Sequence, residues 1–208
     1  MITNHKFFLN LAFQIAEKNL GQTGRNPSVG SIIVKNNTVI SSGVTSPNGR
    51  PQDEYNALNK VKNTRGSTLY TSLEPCIHQG KTPPCTDIII KKKIKNVFFG
   101  LEDPDLRTFK KAKKILNTKG IKSKLIKSKK YNNFYRSYLI NKQFKIPFIS
   151  AKIAISKDYF TINKKEKWIT NIFSRRITHL IRSRNDGIIS TSKSINFDNA
   201  LLNCRIEG

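Results

Sequence analysis

The chain has 208 residues, 37% of them hydrophobic, and its 38 Lys and Arg outnumber 13 Asp and Glu for a formal charge of +25; this length holds one full core and part of another. Three cysteines are too few for a disulfide framework and fit a reducing, cytoplasmic compartment, and no apolar run approaches the ~20 residues of a membrane span. The lysines are spread over several elements and do not alternate with aromatics as a nucleic-acid stacking platform requires, so the charge is read as compositional drift in a Lys-, Asn- and Ile-rich chain.

In chain order, Phe8, Leu11, Ala12, Ile15 and Ala16 recur at helical spacing. They predict a first helix over residues 4–20, capped by Asn4 and stopped at Gly21. Its "FFLNLAFQIA" is not a signal-peptide core, because Asn10 and Gln14 interrupt it and no small-residue cleavage site follows. "VGSIIVKNNTVISSG" predicts a hairpin with a buried strand at 32–34, a turn at Asn36-Asn37 and a return strand at 39–41. A short helix follows Pro51, "STLYTSL" reads as a strand, and "TPPCTDIIIKKKI" opens a helix with proline in its first turn. "NVFFG" is a strand ended by "DPD", residues 110–116 a lysine-rich helix stopped at Gly120, and "SKLI" another strand. "YNNFYRSYLINKQF" predicts one helix carrying Phe134, Tyr138 and Phe144. This alternation gives a three-layer α/β domain, a mixed sheet flanked by helices, over residues 1–145. A second unit, 146–208, is expected to run from a buried strand in "PFISAKIAIS" through a turn at "WIT" and a helix in "NIFSRRITHLIRSR" to a strand in "DGIIS".

The strongest chemical signal is "LEPCIHQGKTPPC". Cys76 and Cys85 are separated by eight residues, and each follows a proline. At a helix N-terminus, backbone N–H groups and the dipole favour the thiolate, which is the form zinc binds. Taken alone, the pair reads equally well as two small buried hydrophobes. Upstream, "PQDE" places Glu54 where a carboxylate can shuttle protons without ligating a metal; alone, Glu54 is an acidic residue in a helix's first turn. Zinc deaminases join H-x-E to a later P-C…C pair, with the glutamate as general acid and base.

Together these stretches resemble the RibD family of bifunctional riboflavin-biosynthesis deaminase–reductases. "GQTGRNPSVGSIIV", "GRPQDEYNAL", "LEPCIHQGKTPPC" and "DPD" fall in the family's order and spacing, as do "SAKIAISKD", "KWIT", "RRITHLIRSRNDGIIS" and "ALLNCRIEG" toward the end. The eight-residue gap between the cysteines separates this family from nucleic-acid deaminases, whose cysteines lie two apart. The resemblance implies a cytidine-deaminase-like domain followed by an incomplete dihydrofolate-reductase-like segment. It puts Cys76 and Cys85 on the zinc thiolates, Glu54 on the proton shuttle, Asn26 on the pyrimidine, and His78 and Lys81 beside the ribose-phosphate. It implies a phosphoribosylated pyrimidine substrate and a homo-oligomer or a partner chain covering the reductase segment. His179 and Trp168 match reductase-side positions and are read as packing residues, while His5 and Cys204 are read as structural.

Two departures qualify these expectations. Gln52 occupies the family's histidine position, and an amide oxygen is a poorer zinc donor than imidazole. It keeps the charge balance of two thiolates and a neutral ligand against Zn²⁺ but loses binding strength, so a weakened or metal-poor site is expected. The family's reductase domain also continues past the point matched by Gly208, so no independent reductase activity and no complete NADPH site are expected. Deamination of the pyrimidine is the favoured function. A catalytically impaired scaffold for a separate reductase chain and a nucleic-acid deaminase or binder are the alternatives.

Overall fold

Strand β1 (Gly30–Lys35) is buried at five of its six positions, a pattern that needs cover on both faces. The computed structural model, which describes residues 4–161 and 168–206, supplies it. Five strands form one mixed sheet in the order β2-β1-β3-β4-β5, with β2 (Thr38–Val44), β3 (Thr68–Thr71), β4 (Asn96–Phe99) and β5 (Lys122–Leu125). The pairs β2–β1 and β1–β3 are antiparallel, and β3–β4 and β4–β5 are parallel. The hairpin turn falls at Asn36 and Asn37, both at positive φ (50° and 62°), which asparagine tolerates better than most residues.

Strand periodicity sorts the core into two layers. Ile32, Val34, Tyr70 and Phe98 point to one face, under Phe8, Leu9 and Phe13 of helix α1 (His5–Ala16). Ile33, Leu69 and Val97 point to the other. There they meet Leu58 of α2 (Asp53–Asn59), Ile88 and Ile89 of α3 (Cys85–Lys91) and Leu116 of α4 (Lys111–Thr118). Each such side chain contributes about 1.5–3 kcal/mol on burial. Asn4 caps α1 by accepting from the Phe7 N–H at 3.0 Å. The helix is shorter than expected: a 3₁₀ turn at Glu17–Asn19 follows, before Gly21 at φ 81°.

The single helix expected over 131–144 is two, α5 (Lys129–Phe134) and α6 (Arg136–Phe144). The break is at Tyr135, whose buried hydroxyl donates to the Ser28 carbonyl at 3.0 Å and lies 2.7 Å from Ser72 Oγ. The buried aromatics here are Tyr131 and Tyr135, while Phe144 is exposed.

Met1–Phe148 and Ile149–Gly208 are two compact units. In the second, α7 (Ile172–Ser183) is capped by Asn171 and α8 (Ser192–Asp198), which the sequence reading missed, by Thr191. The strands expected in "PFISAKIAIS" and "DGIIS" are not formed: residues 147–156 and 187–190 carry no strand. A strand exists by hydrogen bonding to a neighbouring one, and apolar sequence alone does not provide it. Ile153 and Ile189 are accordingly 71% and 94% exposed. Lys167, Glu207 and Gly208 of the quoted motifs lie outside the described residues. Among the described residues no helix is long and apolar enough to cross a membrane.

Gly43 sets how closely α2 approaches the sheet. A Cβ there would lie 2.2 Å from the Asp53 carbonyl oxygen and 2.4 Å from the Ala57 nitrogen, so α2 would have to move. Gly43→Ala is expected to lower the melting temperature by roughly 3–10 °C, measured by circular dichroism, from an overpacking cost of about 1–3 kcal/mol.

Candidate active site

The turn before α2 and the start of α3 converge on one cleft of about 170 Å³. Gly49, at φ 84°, lets the chain pass against Asn26: a Cβ at Gly49 would lie 2.1 Å from Asn26 Nδ2. Gln52 is then the N-cap residue of α2, so Asp53 and Glu54 occupy its first turn, both buried. Cys85 is the first residue of α3, with Pro84 at the cap rather than inside the first turn.

The two sulfurs are 3.3 Å apart, and the Cys85 backbone N–H donates to Cys76 Sγ at 3.3 Å. The start of α3 therefore serves Cys76 rather than Cys85. The Cys85 thiol donating to it, the same backbone N–H and the Arg50 charge hold the Cys76 thiol below its usual range, against burial. Donation to Cys76 and burial push Cys85 well up. Burial, with the Asp53 carboxyl beside it, pushes Glu54 well up. Asp53 Oδ2 accepts from Ser31 Oγ at 2.5 Å and Thr71 Oγ1 at 3.2 Å, which pins the first turn of α2 to β1 and β3.

A tetrahedral zinc ion with Zn–S near ~2.3 Å spaces two thiolates about 3.8 Å apart, so the pair fits after opening by about half an ångström. Gln52 fits less well. Its Nε2 faces Cys76 Sγ at 3.6 Å and its Oε1, the only metal donor it has, accepts from Thr82 Oγ1 at 2.8 Å. Among the described residues no group of three or more His, Cys, Asp and Glu has metal-binding spacing.

The sequence-derived residues Asn26, Gln52, Glu54, Cys76, His78 and Cys85 all line this cleft. Lys81 is exposed and does not line it. His78 Nδ1 lies 3.2 Å from Thr108 Oγ1, and burial, with Arg107 nearby, lowers its pKa.

The family model for the cytidine and deoxycytidylate deaminase zinc-binding region matches residues 2–101. A riboflavin biosynthesis protein RibD from Buchnera aphidicola is 36% identical over 203 residues, 96% of this chain and 55% of that protein. The RibD protein of Bacillus amyloliquefaciens is 31% identical over 97% of this chain and 55% of its own length. The crystal structure of a diaminohydroxyphosphoribosylaminopyrimidine deaminase/5-amino-6-(5-phosphoribosylamino)uracil reductase from Thermotoga maritima is 31% identical. It superposes with a TM-score of 0.89 over 98% of this chain and 60% of that one.

The chain is related to RibD proteins along nearly its whole length.

It spans about 55% of the length of these curated RibD relatives. Its first unit is the cytidine-deaminase-like fold, and neither the scaffold nor the nucleic-acid reading is favoured by the RibD matches.

Several cleft residues escaped the sequence reading, which took "DPD" as the end of a strand and a family motif without giving its residues a role. Asp103 accepts from the Tyr138 hydroxyl at 2.9 Å, and Asp105 takes Arg107 in a fork at 2.9 and 2.7 Å. Behind them, buried Glu74 accepts from the backbone N–H groups of Asp103, Lys110 and Ala112 at 3.2, 3.0 and 3.0 Å. Burial pushes the Glu74 carboxyl up to about 7 against these three bonds. Both oxygens of Glu74 accept, so glutamine would turn a donor toward an N–H group. Glu74→Gln is expected to cost about 1–3 kcal/mol of unfolding free energy in a urea titration, with an unchanged slope.

Proposed function

We propose that this chain catalyses the hydrolytic deamination of a phosphoribosylated diaminopyrimidinone, an early step in riboflavin synthesis. The observation that carries the reading is that Cys76, Cys85 and Glu54 line a single cleft in a chain related to RibD proteins along nearly its whole length. Cys76 and Cys85 would hold zinc, with Gln52 as a weak third donor. When bound, the ion supplies the Lewis acidity that makes water a nucleophile near neutral pH. Asn26 holds the pyrimidine ring and His78 faces the ribose-phosphate. Lys81 is the further cation that the motif offers to the phosphate. Glu54 takes a proton from the attacking water at its carboxylate and delivers it to the departing amine, so an amine and water become a carbonyl and ammonia. A buried carboxyl with a raised pKa suits a group that must hold a proton between those two events. Free thiols at Cys76 and Cys85 suit a reducing cytoplasm.

We assign residues 1–145 to the deaminase domain and 146–208 to the first part of a reductase-type domain. The exposed Phe173, Ile177, Ile153 and Ile189 of that part need cover from further polypeptide, whether a second copy or a partner chain.

The test is ammonia release from the phosphoribosylated pyrimidine by the zinc-supplied full chain. Glu54→Gln is expected to lower the rate by ~10²–10⁴ while zinc content stays unchanged. Gln52→His is expected to tighten zinc binding by at least about 10-fold in a chelator competition. No ammonia from either the natural chain or Gln52→His, with zinc bound, would falsify the reading.

A further inference from the structure

The cation that the resemblance offers to the substrate phosphate, Lys81, sits on an exposed part of its loop and off the cleft. Two other cleft cations are already engaged. Arg107 forks onto Asp105, and Lys142 Nζ lies 3.6 Å from Asp105 Oδ2. Arg25 is exposed at the rim.

Arg50 differs from all of these. It leads into the turn that carries Gln52 and lines the cleft. Its Nη1 donates to the Gly49 carbonyl at 3.1 Å, and its Nε is shielded from water with no acceptor. Among the described residues no carboxylate lies within ion-pair distance of it. Its Nη2 lies beside Gly80, where an added Cβ would stand in ordinary contact at 3.5 Å, so the guanidinium borders the loop that carries His78. The charge is close enough to bias both Cys76 and His78. A guanidinium has five N–H donors in a fork that matches phosphate oxygens, and a shielded cation with unused donors is stabilised by an anion.

We infer that Arg50 is the phosphate-binding residue of this cleft, taking the 5′-phosphomonoester of a ribosyl substrate beside His78 and Gly80. The choice of a ribosyl phosphate rests on the deaminase reading, whereas the anion site rests on the geometry of Arg50 itself.

Calorimetric titration of the purified full chain with ribose 5-phosphate, and with ribose, tests it. The natural chain is expected to bind the phosphate ester and not ribose. Arg50→Gln should weaken that binding by roughly 10-fold or more. Arg50→Lys, which keeps the charge and guards against a folding defect, should fall between them because it loses the fork. Equal binding by Arg50→Gln and the natural chain, or no preference for ribose 5-phosphate over ribose, overturns the inference. Arg50-dependent binding without ammonia release upholds the phosphate site and removes the deaminase reading. Ammonia release with phosphate binding indifferent to Arg50 does the reverse.

Discussion

The site depends on one hydrogen bond across the cleft, from the backbone N–H of Cys85 to the sulfur of Cys76. It fixes the loop after β3 against the start of α3 and holds the two sulfurs 3.3 Å apart. The second anchor is Asp53, whose carboxylate joins α2 to the hydroxyls of Ser31 and Thr71 on neighbouring strands. Glu54 is the next residue, so it is delivered to the sulfurs by the same fixture. Acid and sulfurs therefore meet because two helix starts are tied to one sheet, although they lie far apart in sequence.

Burial and charge then divide the labour. The cleft encloses carboxyl groups that burial alone would keep protonated, and each is answered differently. Asp53 has two hydroxyl donors, Glu74 three backbone N–H groups, and Asp105 a guanidinium fork that holds it below the usual carboxylate range. Glu54 is pushed up first by burial and then by the neighbouring Asp53 carboxyl and Cys76 sulfur, and so favours the protonated form. Burial raises Asp53 and Glu74 as well, so what sets Glu54 apart is its place beside the two sulfurs rather than the direction of its shift.

Much of the first unit was legible because its patterns have local causes. The apolar run Ile32–Val34 gave a doubly covered strand, Asn36-Asn37 its turn, and the proline before Cys85 a helix start, whereas Cys76, also preceded by proline, lies in a loop. The departure at Gln52 was legible as well, but not its orientation, because Thr82 lies thirty residues away and competes for the amide oxygen. The anchoring of residues 103–112 by Glu74 was equally hidden, since those bonds span 29 to 38 positions. The break at Tyr135 depends on Ser28 and Ser72, which no helical period reveals. In the second unit, apolar runs were read as strands, yet pairing depends on a neighbouring strand and not on composition. The exposed apolar side chains of α7 carry the same lesson: amphipathic sequence marks a face for burial without naming what covers it.

The account turns on the two sulfurs acting together on one metal ion. X-ray absorption at the zinc edge of the zinc-supplied full chain measures this directly. Two sulfur neighbours at about 2.3 Å, with lighter atoms completing the shell, are the expected result. A shell of oxygen and nitrogen alone, or a single sulfur, would contradict it.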